Sequence, residues 1–252
     1  MLDVIAPTWS APECVKAYST CRQGGVSIGP YASLNLGMHV GDDVENVLLN
    51  RQRLAQGLAL PELPVWLQQV HGVEAIELTV STKSDIQADA SYTELKNKVC
   101  AVMTADCLPV LLCNRQGSQV AAIHAGWRGL AAGVIESTLN AMGEPAGNIV
   151  AWLGPAIGPQ AFEVGEDVVE AFVSAHAEAE RAFVQQSPTT WFADIYALAR
   201  QRLQRKGVND ISGGDFCTYH DEARFFSYRR DGVTGRMASL IWIEAEGVEY
   251  TK

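Results

Sequence analysis

The stretch from Thr104 to Gly129, TADCLPVLLCNRQGSQVAAIHAGWRG, joins two apolar runs through a short polar turn. The runs cover residues 109–113 and 119–123, and a glycine lies in the turn between them. Apolar runs joined by a polar, glycine-containing loop predict an antiparallel β-hairpin. Such a hairpin would bring Cys107, which precedes the first run, close to His124, which follows the second. The pattern therefore predicts a thiol and an imidazole at one edge of a sheet.

A second histidine follows another strand-like run, because residues 65–70 lead directly to His71. Cysteine sulfur and histidine nitrogen are zinc ligands, and a set of three leaves a fourth position for water or substrate. The separations of His71, Cys107 and His124 match no short zinc-finger motif, so the fold would have to gather them. Two other interpretations stay open at this point. One is a Cys107–His124 nucleophile–base pair with Asp106 as the orienting carboxylate, and the other is a purely structural role for buried thiol and imidazole groups.

Composition limits the classes of partner. The formal net charge of −10 disfavours nucleic acid and anionic membranes. No run approaches the roughly 18 uninterrupted apolar residues of a membrane helix. The first residues carry no basic, apolar pattern typical of a secretory leader, so we expect none, and the six cysteines are then expected to be free thiols. We therefore expect a soluble, cytoplasmic protein that binds neither nucleic acid nor membrane.

Hydrophobic periodicity predicts one domain, residues 1–252, that mixes strands and helices. Helices are expected after Asp42 and Asp43, over 130–142, from 166 to about 183 with His176 inside it, and over 194–206. Besides the hairpin, strands are expected over residues 14–21, 65–70, 75–80, 99–103, 149–153 and 237–243.

Arginines beside glycines are the predicted anion contacts. Glycine lets the backbone approach a ligand closely, and a guanidinium supplies charge-assisted hydrogen bonds. We therefore expect Arg22, and after it Arg128, to contact phosphate, and we place Asn35 among the substrate-binding residues. Arg229 and Arg230 precede a turn, a position equally consistent with ligand binding and with a surface role.

Eight segments, in order along nearly the whole chain, carry a resemblance to a known family. They are RQGGVS at 22–27, SLNLG at 33–37, QVHG at 69–72, TADCLP at 104–109, HAGWRG at 124–129, GPAIGP at 154–159, FSYRRD at 226–231 and TGRM at 234–237. With these motifs the chain resembles the YfiH family, the laccase-domain or polyphenol-oxidase-type purine nucleoside phosphorylases, also called peptidoglycan editing factors.

The resemblance implies an α+β fold, a layered α/β/β/α sandwich with mixed sheets in a single domain. It also implies that His71, Cys107 and His124 bind zinc, with copper as an alternative, and form the catalytic centre. The implied reactions are phosphorolysis of adenosine, inosine and methylthioadenosine, and deamination of adenosine. The expected partners are therefore a small-molecule nucleoside and phosphate, and the chain is expected to be a monomer or a homodimer.

Other members of the family are described as phenol oxidases or as enzymes that edit muramyl-peptide precursors. Oxidation by several coppers needs many histidines, and only two of the five histidines here converge. Hydrolysis of a misincorporated muramyl peptide by a Cys/His or zinc site is the second interpretation. A binding module without catalysis is the third.

Overall fold

The computed structural model describes residues 2–245. Its strands are β1 (Val4–Ile5), β2 (Val15–Thr20), β3 (Leu67–Gln68), β4 (Ala75–Glu77), β5 (Ile86–Gln87), β6 (Ala90–Thr93), β7 (Cys100–Thr104), β8 (Leu108–Asn114), β9 (Val120–Ala125), β10 (Ile149–Leu153), β11 (Glu163–Val164), β12 (Phe183–Gln185), β13 (Trp191–Ala193), β14 (Asp210–Gly213) and β15 (Met237–Ile243). Its α-helices are α1 (Val44–Gly57), α2 (Trp127–Ala132), α3 (Val134–Met142), α4 (Glu166–Val173), α5 (Ile195–Arg205) and α6 (Tyr228–Asp231). Short 3-10 helices cover Gly29–Tyr31, Ala146–Asn148 and Ala177–Ala182.

Two sheets stacked face to face form the centre of the protein. The four-stranded sheet has the order β1-β2-β15-β7, and the six-stranded sheet has the order β14-β10-β8-β9-β6-β4. The larger sheet is mixed, because β10 with β14 and β4 with β6 are parallel pairs and its other pairs are antiparallel. Val102 and Ile241 of the smaller sheet share one buried core with Leu111 and Val120 of the larger.

Helices cover the outer faces of both sheets. Leu54 of α1 packs on the four-stranded sheet with Ala101 and Leu240. Leu139 of α3 and Leu203 of α5 belong to the core on the outer face of the six-stranded sheet. The layers are therefore helix, sheet, sheet and helix. The α+β fold with an α/β/β/α sandwich and mixed sheets is confirmed.

The predicted hairpin is confirmed. Strands β8 and β9 pair antiparallel, with Leu108 opposite Ala125 and Pro109 opposite His124. Both strands are fully buried, because one face packs on the smaller sheet and the other on the helices. Burial on both faces explains why their sequences are continuous apolar runs rather than alternating ones. The predicted helix over 194–206 is also confirmed, and the Asp194 side chain caps it by accepting a hydrogen bond from Ala197 N.

The helix predicted over 130–142 is wrong in two respects. The helical segment begins at Trp127, and it is broken into α2 and α3 at Gly133. Gly133 has a φ of 100°, a left-handed conformation that side chains with a Cβ rarely adopt. Its N–H ends α2 by donating to the carbonyl groups of Gly129 and Leu130.

The helix predicted from 166 to about 183 ends at Val173. His176, predicted inside it, has an extended backbone with φ −150° and precedes a 3-10 helix. Phe183 then pairs with Ala193 in a three-stranded sheet of order β11-β13-β12. The prediction missed this sheet because its strands are only two or three residues long. Within residues 2–245, no helix is both long and apolar enough to cross a membrane.

The core between the two sheets should dominate stability. Replacing the fully buried Leu111 with Ala is expected to lower the free energy of unfolding by about 2–5 kcal/mol, because it leaves a cavity between rigid sheets. Denaturant unfolding at fixed metal content measures the change. The control is Leu63→Ala, since Leu63 is 70% exposed and its loss should cost less than about 0.5 kcal/mol. Equal costs would contradict the assigned core.

Candidate metal centre

The hairpin brings Cys107 and His124 together, and a loop adds His71. The ligand atoms of the three residues all lie within 4.8 Å of one another. The Cys107 sulfur is 3.8 Å from His71 Nε2, and the two imidazole rings meet edge to face with centroids 4.8 Å apart. A thiol and two imidazoles therefore face one point.

His71 reaches this point from a loop and not from the end of a long strand. The strand predicted over 65–70 is confined to Leu67–Gln68, and His71 has a φ of 60°. The chain leaves the strand because the Gln69 side chain bonds to the backbone of Met103, donating to its carbonyl at 2.8 Å and accepting from its N–H at 2.7 Å. These bonds fix the start of the loop that carries His71.

One buried carboxylate, Asp89, orients both histidines. It accepts a 2.7 Å hydrogen bond from His124 Nδ1. It also accepts the backbone N–H groups of Val70 at 3.2 Å, His71 at 2.9 Å and Gly72 at 2.7 Å. Because an ionised carboxylate only accepts, the neutral form of His124 carries its proton on Nδ1 and presents the Nε2 lone pair to a ligand.

Asp106, the orienting carboxylate suggested by the sequence, has a different role. Its Oδ1 accepts from Thr218 Oγ1 at 2.6 Å. Its Oδ2 accepts from Ser227 Oγ at 3.0 Å and from Arg229 N at 2.7 Å. Both oxygens are therefore used to hold the segment around residues 218–229, and the suggestion that Asp106 orients a Cys–His pair is wrong. The carboxylate that bonds to His124 is Asp89.

Glycines beside the ligands are required by close packing. A Cβ on residue 126 would lie 2.7 Å from His71 Cδ2 and 3.1 Å from the Cys107 sulfur. A Cβ on residue 129 would lie 2.7 Å from the carbonyl oxygen of Gly72. Gly126 and Gly129 therefore let α2 approach the ligands closely.

Cys107, His124 and Asp89 shift one another's pKa values in the direction that favours their charged forms. Burial alone would raise the pKa of Cys107, but the adjacent His124 and His71 outweigh it and lower that pKa. Burial alone would lower the pKa of His124, but Cys107 and Asp89 raise it. Burial would likewise raise the pKa of Asp89, yet the hydrogen bonds from His124, Gly72 and Val70 lower it. The thiolate, which is the form that binds metals, is favoured.

The donor set fits a metal ion. One thiolate and two imidazoles suit zinc and copper, and the second nitrogen of His124 is fixed by a carboxylate, as is usual behind a metal-bound histidine. The structure brings together all three predicted ligands, His71, Cys107 and His124.

The three ligands line a cavity of 540 Å³, and the structure places the other predicted site residues differently. Arg128 lines the same cavity. Arg22 lines a separate and more open cavity, where its Nε donates to Ala32 O at 3.0 Å and its Nη1 to Glu222 O at 3.2 Å.

Asn35 is fully buried, and its side chain bonds within the protein. Nδ2 donates to Gly37 O and to Asp42 Oδ2, while Oδ1 accepts from Gly37 N and Arg236 N. This placement favours a structural role. Substrate contact by Asn35 and by Arg22 stays a prediction.

Several cavity residues were missed by the sequence analysis. His39 and Arg236 line the cavity without having been predicted there, and Arg229, which the sequence left open between ligand binding and a surface role, lines it too. Burial, followed by the charges of Arg236 and Arg51, lowers the pKa of His39. Asp89 was also missed, although an acidic residue between alanines at the start of a buried strand is a signal for a structural carboxylate.

Comparison with known proteins agrees with this architecture. The family model described as "Multi-copper polyphenol oxidoreductase laccase" matches residues 16–244. The chain is 56% identical over 243 residues to "Purine nucleoside phosphorylase YfiH" of Escherichia coli (strain K12), covering 96% of this chain and 100% of the relative. It is 54% identical over 241 residues to "Purine nucleoside phosphorylase PA4543" of Pseudomonas aeruginosa, covering 95% and 98%.

Solved structures give the same result. Protein NMB0706 of Neisseria meningitidis superposes with a TM-score of 0.91 at 49% identity, over 96% of this chain and 99% of that chain. YlmD of Geobacillus stearothermophilus superposes with a TM-score of 0.85 at 32% identity, over 92% and 93%. The chain therefore belongs to the laccase-like YfiH family, as its motifs suggested.

The Asp89 carboxylate is expected to strengthen metal binding. Replacing Asp89 with Asn is expected to weaken zinc binding by about 10–100-fold, because the amide NH₂ group cannot accept the N–H bonds that one carboxylate oxygen now receives. Competition with a chromogenic chelator measures the affinity, and circular dichroism checks the fold. The matched control is Asp85→Asn, an exposed position that should leave affinity unchanged. Wild-type affinity in the Asp89 variant would show that the carboxylate does not position the ligands.

Proposed function

We propose that this chain is a zinc-dependent purine nucleoside phosphorylase that also deaminates adenosine. The observation that carries the proposal is the group His71, Cys107 and His124 on the wall of a cavity that also contains arginines. Relatives named purine nucleoside phosphorylase support the same activity. The proposed substrates are adenosine, inosine and methylthioadenosine, each with inorganic phosphate.

The cavity has the size and lining of a nucleoside site. Its 540 Å³ lies within the roughly 300–1,000 Å³ of small-molecule sites. Trp127 and Phe162 present aromatic rings and Ile157 an apolar side chain, and the Arg128 guanidinium lies 4.4 Å from the Trp127 ring centroid. A flat purine packs on such a wall through stacking and apolar contact. We place the base there and the ribose towards the three ligands.

In phosphorolysis a phosphate oxygen bonds to C1′ of the ribose while the C1′–N9 bond breaks. The electron pair of that bond passes to the purine, which takes up the proton that the hydrogen phosphate gives up and leaves as the neutral base. His71, Cys107 and His124 would hold zinc, which when bound supplies a Lewis acid. Asp89 keeps the proton of His124 on Nδ1 and so keeps Nε2 free for the metal. Cavity arginines hold the phosphate and offset its charge.

Deamination differs in its second reactant. Water adds at C6 of the purine, the C6–N6 bond breaks, and ammonia leaves. No phosphate takes part, so this reaction uses the same cavity without the anion. The two reactions are therefore separable by the supply of phosphate.

A second function is favoured by one specific observation. Asp89, His124 and Cys107 are arranged as a carboxylate, an imidazole and a thiol of lowered pKa, the order of an activated nucleophile. This arrangement supports a hydrolase that edits misincorporated muramyl-peptide precursors. His71 favours the metal interpretation instead, because a second imidazole 3.8 Å from the same sulfur has no part in a triad and is a natural third ligand.

Copper-dependent phenol oxidation is not proposed. Oxidation by several coppers needs several sets of ligands. Over residues 2–245, one group of three metal-binding side chains is found, and His176 and His220 do not line its cavity.

The test is a comparison of wild-type protein and Cys107→Ala, both purified without added metal. Wild-type protein should contain one zinc per chain and should release adenine and ribose 1-phosphate from adenosine only when phosphate is present. Inosine should form with or without phosphate. Loss of a metal ligand should reduce zinc content and lower both rates by at least about 100-fold. Elemental analysis and product chromatography give the readouts.

The control is Cys14→Ala, a half-buried cysteine outside the cavity whose loss should change neither metal nor rates. A muramyl-peptide precursor is offered to the same preparations. Intact-mass detection of an adduct on Cys107, together with activity that survives a strong chelator, would establish the hydrolase and overturn the phosphorylase.

A further inference from the structure

Arginines outnumber carboxylates around the cavity. Arg128, Arg229 and Arg236 line it. Asp106 is the one carboxylate among the described residues that line it. Across residues 2–245, no carboxylate lies within salt-bridge distance of any of the three guanidinium groups. Three unpaired cations around one cavity, in a chain of net charge −10, point to an anionic ligand.

Two of these arginines are held in place by neutral groups. Arg229 Nη1 donates to Glu163 O at 2.7 Å, and its guanidinium carbon lies 5.6 Å from the Phe162 ring centroid. Arg236 Nη1 donates to Thr234 O and Gly235 O, both at 3.0 Å. Carbonyl and aromatic partners orient a guanidinium without cancelling its charge, so both groups are prepared for an anion.

Both arginines are neighbours of Tyr228. Tyr228 precedes Arg229 in α6, and the Arg236 guanidinium carbon lies 5.9 Å from the Tyr228 ring centroid. The backbone of Arg236 is fixed by its N–H bond to Asn35 Oδ1 at 2.9 Å. Arg236 lines the same cavity as the candidate metal ligands His71, Cys107 and His124.

Asp106 anchors this segment to the metal centre. It directly precedes Cys107, and its carboxylate receives the Ser227 hydroxyl and the backbone N–H of Arg229. The Ser227 hydroxyl also accepts from Arg230 N at 3.2 Å and so caps the short helix. The position of Arg229 relative to Cys107 is therefore set through one buried carboxylate.

Arg230, the neighbour of Arg229, differs from it in having a carboxylate partner. Its guanidinium pairs with the Asp231 carboxylate at 2.8 Å and donates to the carbonyl groups of Thr218, Tyr219 and Phe225. Its charge is offset and most of its donors are used. Of the two adjacent arginines, Arg230 is structural and Arg229 is available.

We propose that Arg229 and Arg236 form the phosphate subsite of the cavity, and that Asp106 is the positioning residue that holds Arg229 in it. This assignment rests on the proposed function and replaces Arg22 as the expected phosphate contact. Arg128 is exposed and lies over the ring of Trp127, so we assign it to the nucleoside and not to the phosphate. The guanidinium fork matches phosphate oxygens in pairs, which a single lysine charge would not do.

Phosphate binding without nucleoside tests the subsite directly. Calorimetric titration of the zinc-loaded protein with inorganic phosphate should show saturable binding. Arg229→Gln and Arg236→Gln should each weaken it by about 10–100-fold, the loss expected for a charge-assisted contact. Arg181→Gln is the matched control, because Arg181 is an exposed arginine outside the cavity and its loss changes net charge equally.

Kinetic measurements distinguish a positioning role of Asp106 and Ser227 from a role in the stability of the fold. Ser227→Ala removes one bond to Asp106 and should raise KM for phosphate in base release, while deamination without phosphate and zinc content stay at wild-type values. Asp106→Asn should show the same split more strongly. If Asp106→Asn does not fold, the Ser227 variant alone decides. Equal losses in both reactions would assign these residues to the fold and overturn the positioning role.

The results that would contradict the phosphate subsite differ from those that would contradict the phosphorylase activity. If base release proceeds but both arginine variants bind phosphate as wild type does, or if Arg22→Gln alone abolishes binding, the subsite is wrong and the phosphorylase stands. If phosphate binds through Arg229 and Arg236 but no nucleoside is cleaved, the subsite stands and the phosphorylase fails. Absence of saturable phosphate binding to the wild-type protein overturns the subsite.

Discussion

The metal centre depends on the Asp89 carboxylate. It lies fully buried at the start of β6 and accepts one imidazole N–H and three backbone N–H groups. A buried carboxylate is stable only when its lone pairs are satisfied, so His124 and the loop at His71 must adopt the positions that satisfy it. The bond to Nδ1 orients the His124 imidazole, and the three backbone bonds fix the loop that carries His71. The contacts that satisfy the buried carboxylate therefore also place both histidines near Cys107.

A second buried carboxylate, Asp106, holds another segment of the cavity wall. Asp89 ties the two histidines to the six-stranded sheet, and Asp106 ties α6 to the residue beside Cys107. The oxygens of both carboxylates are occupied by these bonds, and the three candidate metal ligands and Arg128, Arg229 and Arg236 line the same cavity.

Continuous patterns in the sequence predicted the parts of the protein with local causes. The hairpin of β8 and β9, the helix capped by Asp194 and the pairing of Cys107 with His124 follow from periodicity and turn residues. Contacts between distant segments were not predictable in this way. Asp89, Asp106 and Arg236 act through bonds to residues far along the chain, and the three-stranded sheet consists of segments too short to show a period. The phosphate contact expected of Arg22 from its glycine-rich loop stays a prediction, since Arg22 lines a cavity separate from that of the metal ligands.

The most direct measurement of the central claim is X-ray absorption at the metal edge of protein purified without added metal. The account predicts one metal per chain with one sulfur neighbour at about 2.3 Å and two imidazole nitrogens at about 2.0–2.1 Å. A first shell without sulfur would contradict it, since Cys107 would then not be a ligand. A second metal at short distance would contradict it equally, because His71, Cys107 and His124 offer one ligand atom each, a set for a single ion.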